Sequence, residues 1–248
     1  MKRFIDCVIP FRTCNLRCGY CYITHTASWG DRLPSFKHDP GRIGRALSVE
    51  RLGGVSLINI CGEGETLLPP EIVGIIRSLL ECGHYVMVVT NGTVSKRFDE
   101  IAKISEDCLD RLLIKFSFHY SELMRKGWID AFFSNVWKMR RAGASISVEL
   151  TPCDDLVPHI EDIILLCKRR IGAVCHVTVA RDERDPSLPI LTSYPRAVYE
   201  SIWSRFQSDL FEFKMRVFGQ KRNEFCYAGL WSGVLDLVTV QLKQCYSG

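Results

Sequence analysis

The stretch "FIDCVIPFRTCNLRCGYCY", residues 4–22, runs from a short apolar segment into three closely spaced cysteines. The segment 4–9 reads as a β-strand. Cys14, Cys18 and Cys21 follow in a C-x3-C-x2-C pattern, with Tyr20 and Tyr22 flanking the last of them. Five more apolar runs resemble the first: "VSLINI" (55–60), "YVMVVT" (85–90), "RLLIKFSF" (111–118), "SISVELT" (145–151) and "AVCHVTVA" (173–180). They are rich in Val and Ile and mostly lack alternation, which predicts strands buried on both faces. Helical patterns separate them at 69–83, 95–107, 121–143 and 155–172, and another follows at 193–210. Ser95 is the expected cap of the second helix. Pro158 falls in the first turn of the fourth. Strand and helix in repetition predict parallel βαβ units. Six units fall short of the eight that close a barrel. The fold class is therefore α/β, a partial (β/α)6 TIM-like barrel, with a break in the alternation around 212–225.

Composition bounds the function. The chain has 248 residues, 47% hydrophobic and 24% charged, within the globular range. A net charge of +4 is too mild to argue for nucleic acid. The basic clusters "KMRRAG" and "CKRRIG", ending at Gly143 and Gly172, read as helix C-termini, where cations offset the dipole and Gly takes the cap. The N-terminus is interrupted by Asp6 and Pro10 and does not read as a signal peptide. No apolar stretch is long enough to span a bilayer. The expected location is the cytoplasm, with no membrane partner. Twelve cysteines there do not predict a disulfide framework; the clustered ones point to metal or catalysis.

Ligands of parallel α/β sheets sit at the carboxyl ends of the strands. The cysteine loop follows the first strand, "CGEGET" (61–66) the second and "NGT" (91–93) the third. The fourth ends in Ser117 and His119, the fifth in Glu149, Thr151 and Asp154, the sixth in Arg181, Asp182 and Glu183. Three thiols within eight residues suit a metal site. A structural zinc wants four ligands, usually in paired C-x2-C units. Iron–sulfur centres also take spaced thiolates. Three thiolates on a four-iron cubane leave one iron open.

C-x3-C-x2-C with an aromatic before the third cysteine resembles the signature of the radical S-adenosylmethionine (radical SAM) superfamily. The resemblance implies that Cys14, Cys18 and Cys21 hold a 4Fe–4S cluster. The amino and carboxylate groups of S-adenosylmethionine would take the open iron. Reductive cleavage of the cosubstrate would give a 5′-deoxyadenosyl radical that abstracts hydrogen from a substrate. "GEGETLL" (62–68) resembles the family's Gly-Gly-Glu-Pro motif, which binds the methionine amino group, with Thr66 where Pro is common. Gly64 would allow close backbone approach and Glu65 would supply a carboxylate for an ammonium. Ser117 matches the ribose contact, and Tyr20 the aromatic near the adenine. Arg181 would meet a carboxylate of S-adenosylmethionine or substrate. The fifth-strand adenine motif of the family is not recognisable around Glu149 and Thr151. For His119 a structural role is the plainer expectation beside substrate contact.

"FCYAGLWSGVLDLVTVQLKQCY" (225–246) is similar to the opening of a SPASM or Twitch extension, a β-hairpin unit whose cysteines bind auxiliary iron–sulfur clusters. Cys226 and Cys245 match its first two cysteines. Val240 stands where a glycine is usual, and no cysteine follows Cys245. The expected division is a core at 1–211 and an incomplete extension at 212–248, whose auxiliary cluster would need other ligands such as Cys153 or Cys61. SPASM-type relatives oxidise or cross-link side chains of peptides and proteins. Relatives acting on ribosomal peptides often carry a recognition domain before the first strand, which here begins at Phe4; small-molecule substrates therefore stay open. The resemblance implies an oxidoreductase-type enzyme served by an external electron donor such as flavodoxin or ferredoxin. It identifies no catalytic side chain. The alternative is a non-catalytic thiolate module holding zinc or iron–sulfur.

Overall fold

A computed structural model describes residues 1–221 and 223–246. Arg222, Ser247 and Gly248, which fall in the expected extension, lie outside the described residues. Eight strands form one sheet: β1 Phe4–Ile9, β2 Leu57–Gly62, β3 Tyr85–Thr90, β4 Leu112–Ser117, β5 Ser145–Leu150, β6 His176–Val177, β7 Ser232–Asp236 and β8 Gln241–Lys243. Their order is β6-β5-β4-β3-β2-β1-β7-β8. Every pairing is parallel except that of β7 with β8, which is antiparallel. This is the expected partial barrel with a C-terminal hairpin. The hairpin does not stand apart: β7 pairs along β1, Phe4 opposite Ser232 and Val8 opposite Asp236.

The strands are not buried on both faces as the apolar runs predict. In β1, β3 and β4 buried and half-buried positions alternate. Ile5, Cys7, Ile9, Ile58, Ile60, Val86 and Val88 pack into one core with the covering helices. The helix Ile72–Glu81 alone buries Ile72, Val73, Ile75, Ile76, Leu79 and Leu80. Each such side chain contributes roughly 1.5–3 kcal/mol when fully buried. The other face carries Asp6, Asn59, Lys115, Ser117 and Glu149 at corresponding register positions. An open barrel has no closing strands over this inner face, so its residues need not be apolar.

Local chemistry also corrects the helices. The expected helix 121–143 is two, Tyr120–Lys126 and Ile129–Arg141, because Gly127 ends the first at φ +67°. The expected helix 95–107 stops at Ile101 and restarts at Glu106–Leu109. Ser95 is not its cap; the cap position is Val94, and the Ser95 hydroxyl accepts from Asn135 Nδ2 at 3.0 Å. Pro158 lies in a 3₁₀ turn, Asp154–His159, ahead of the helix Ile160–Ile171. The sixth strand shrinks to two residues, because Arg181 leaves the sheet to bridge Ile190. A helix Asp209–Val217 spans the expected junction at 211 and 212 and buries Phe211 and Met215. Among the described residues no helix is long and apolar enough to cross a membrane.

Candidate functional site

The chain leaves β1 at Ile9 and runs beside the chain leaving β2. The backbone N–H groups of Glu63, Gly64 and Glu65 donate to the carbonyls of Ile9, Phe11 and Thr13 at 3.1, 2.7 and 3.0 Å. This docks the cysteine loop onto the "GEGET" loop. A Cβ on Gly64 would stand 2.0 Å from the Thr13 carbonyl oxygen, so only glycine permits the approach. The close approach expected toward a ligand is thus made first to the cysteine loop itself. Arg12 adds an ion pair to Glu63 at 2.8 Å.

The cysteine loop is folded by its own hydrogen bonds. Cys21 N donates to the Cys18 carbonyl at 3.1 Å, and Cys21 precedes a short helix, Tyr22–His25. Arg17 N donates to Glu122 at 2.8 Å, and the Arg17 guanidinium lies 3.9 Å from the centre of the Trp29 ring. Arg125 binds both oxygens of the Glu122 carboxylate and lowers its pKa.

Glu65 is 2% exposed. Its carboxylate accepts from Thr90 Oγ1 at 2.5 Å, Asn91 N at 2.7 Å and Leu67 N at 3.0 Å. Burial raises its pKa against these three donors. A carboxylate has about four acceptor sites, so one remains. Asn91 in turn donates through Nδ2 to Asn15 Oδ1 at 2.8 Å and to Cys14 Sγ at 3.7 Å, and accepts from Thr93. Asn15, Asn91 and Glu122, which brace the cysteine loop, were not among the residues singled out in the sequence. The "NGT" turn after the third strand was the available signal for Asn91.

Cys14, Cys18 and Cys21 all line one cavity of about 320 Å³, together with Tyr20, Gly64, Glu65, Ser117 and Arg181. Eight of the ten site residues expected from the sequence therefore meet there. Cys226 and Cys245 do not line it. Burial, chiefly, pushes the Cys14 thiol up to about 11, with the charges of Glu65 and Cys21 adding to the rise. Burial and the charge of Cys14 push Cys18 up as well. The Cys14 and Cys18 thiols in this setting keep their protons until a cation displaces them. Among the described residues no three His, Cys, Asp or Glu side chains converge on a point that would hold a single metal ion. Three thiols that line one cavity fit a cluster held by thiolates.

Tyr20 and His119 form a wall. The Tyr20 hydroxyl hydrogen-bonds His119 Nδ1, and burial lowers the His119 pKa from 6.5 to about 4, so the imidazole is neutral near pH 7. Both residues also line a second cavity of about 610 Å³, with Asp154, Asp155, Asp182 and Arg184. There Asp154 accepts from Thr192 and Ser193, and Arg184 holds the Asp182 carboxyl down to about 2. Glu149 is committed to Lys115 at 2.9 Å, while among the described residues the one ion pair of Arg181 is a longer pairing to Glu183 at 3.6 Å.

A search of curated proteins finds no match. Among solved structures, Streptococcus suis SuiB bound to S-adenosylmethionine aligns with a TM-score of 0.64 and 14% identity, covering 98% of this chain and 60% of that one. The anSMEcpe protein with bound AdoMet aligns with a TM-score of 0.56 and 13% identity, covering 87% and 61%. The chain thus spans about 60% of the length of these structures, and at such identity they share its fold. The sequence profile of the Radical SAM superfamily matches residues 8–152, which include the end of β1, the strands β2 to β5, the three cysteines, Gly64, Glu65 and Ser117. With more than half of its length under that profile, this chain belongs to the radical SAM superfamily.

Proposed function

We propose that this chain is a radical SAM enzyme of oxidoreductase type, acting on a side chain of a peptide or protein. Family membership implies a 4Fe–4S cluster and S-adenosylmethionine as cofactors. The single observation that carries the site assignment is that Cys14, Cys18 and Cys21 share one cavity with Gly64, Glu65 and Ser117. Bound there, the two cofactors supply a one-electron cleavage of the sulfonium C–S bond and hydrogen abstraction from the substrate.

The protein's part is positioning. The three thiols would give up protons to hold the cluster. The remaining acceptor site of Glu65 would take the methionine ammonium, and Ser117 would contact the ribose. Tyr20, fixed by neutral His119, would give the adenine a flat wall, and Arg181 would exchange its long pairing to Glu183 for a ligand carboxylate. Peptide chemistry is supported by folds recorded with peptides: SuiB bound to precursor peptide SuiA, and anSMEcpe with Cp18Cys peptide. An external one-electron donor and a cytoplasmic location belong to the same proposal. So does the division into a core at 1–211 and an extension at 212–248, with the helix Asp209–Val217 bridging them.

The test is anaerobic reconstitution. The wild-type chain should bind about four irons and, with dithionite, convert S-adenosylmethionine to 5′-deoxyadenosine and methionine. The Cys14→Ala/Cys18→Ala/Cys21→Ala variant should do neither. Tight zinc binding without iron–sulfur absorbance would sink the proposal in favour of a thiolate–metal module.

A further inference from the structure

Three cations meet on the open side of the sheet. Lys115 stands on the inner face of β4, Arg181 follows β6, and Lys214 reaches in from the helix Asp209–Val217, which packs on β6. The charges of Lys115, Arg181 and Glu149 all act on Lys214. Two carboxylates are at hand, and both are engaged: Glu149 with Lys115 at 2.9 Å, Glu183 with Arg181 at 3.6 Å. Lys214 donates instead to the neutral hydroxyl of Thr178 and makes no ion pair among the described residues. An ammonium carries three donors. Burial pushes its pKa below the ordinary value, the nearby Lys115 and Arg181 add to the fall, and Glu149 opposes it. A half-buried ammonium beside two further cations is stabilised by an incoming anion.

A cavity of about 560 Å³ opens over this ammonium, lined by Lys214, Thr178, Val179 and Arg181. Val179 and Arg181 also line the cysteine cavity, so the two adjoin. We infer that Lys214, with Thr178 and Arg181, forms a subsite for a carboxylate of the substrate. The inference rests on the proposed function of the neighbouring cavity. A free organic acid and an acidic peptide side chain present the same group. Ammonium and guanidinium hold it through charge-assisted hydrogen bonds, about twice as strong as neutral ones.

The experiment is calorimetric titration of the anaerobically reconstituted chain, saturated with S-adenosylmethionine. The probes are glutarate, its uncharged diamide, and the capped peptide acetyl-Ala-Glu-Ala-amide. A carboxylate probe should bind at least about tenfold more tightly than the diamide. Lys214→Met should remove about that factor, and Lys214→Arg should keep most of it. Preference for glutarate or for the peptide identifies which source of the carboxylate the subsite takes. Three results would overturn the inference: no binding of either carboxylate probe, binding of the diamide as tight as that of the better carboxylate probe, or equal affinity for that better probe in Lys214→Met. So would a parallel loss of S-adenosylmethionine affinity in Lys214→Met, which would give the cation to the cosubstrate. A chain that takes up no iron but still binds glutarate through Lys214 removes the proposed function and leaves the anion subsite standing. Normal iron and S-adenosylmethionine binding with the better carboxylate probe indifferent to Lys214 does the reverse.

Discussion

At the scale of single residues, Glu65 joins two roles. The sequence marks it by position, one residue after Gly64 and at the end of the second strand. The fold adds that its carboxylate is the shared acceptor for Thr90, Asn91 and Leu67. Through Asn91 it reaches the Sγ of Cys14. Glu65→Ala leaves buried donors without partners, each costing about 1–3 kcal/mol. The cluster-free Glu65→Ala chain should therefore lose roughly 2–4 kcal/mol in urea denaturation, and the reconstituted chain should bind S-adenosylmethionine more weakly. Unchanged stability would mean that these hydrogen bonds do not hold the loop. Glu65, Gly64 and the three cysteines were legible because their spacing is local. The Asn15–Asn91 contact was not, since it joins residues 76 apart in sequence.

At the scale of elements, the β7–β8 hairpin carries a strained turn. Asp236 caps it, accepting from Val238 N at 2.8 Å and Thr239 N at 3.0 Å. Val240 closes it at φ +61°. The SPASM and Twitch extensions that this segment resembles usually place glycine there, and a β-branched residue in the left-handed region is the costlier choice, by about 1–2 kcal/mol. Asn enters that region far more readily than Ala. Both substitutions give up the packing of the half-buried Val side chain. Val240→Asn should therefore exceed Val240→Ala in stability by about 1 kcal/mol, read from urea midpoints. Equal midpoints would show that the turn relaxes without strain. The element-level errors have similar local causes. The helix Pro40–Ala46 contains two glycines and was not expected; it forms because Asp39 caps it and Gly44 fits against Ser78, where a Cβ would stand 2.1 Å from the hydroxyl.

At the scale of the molecule, parallel βα alternation was legible because each unit is written locally, in an apolar run followed by a helical pattern. The placement of β7 was not. "SGVLD" is short, and its partner β1 lies more than 220 residues earlier. The same pairing sets a schedule for the chain on the ribosome. The strand β1 is made first, and β2 covers one of its edges within about fifty residues. Its other edge has no native neighbour until Ser232–Asp236 has been synthesised. Until then, an apolar strand with a free row of N–H and C=O groups is available to any other strand it meets. A chain stopped after Asn223 should therefore aggregate on expression, and Lys at Val8, on the half-buried face of that strand, should reduce the aggregation. A soluble, monomeric 1–223 fragment would show that something else guards the edge while the chain grows.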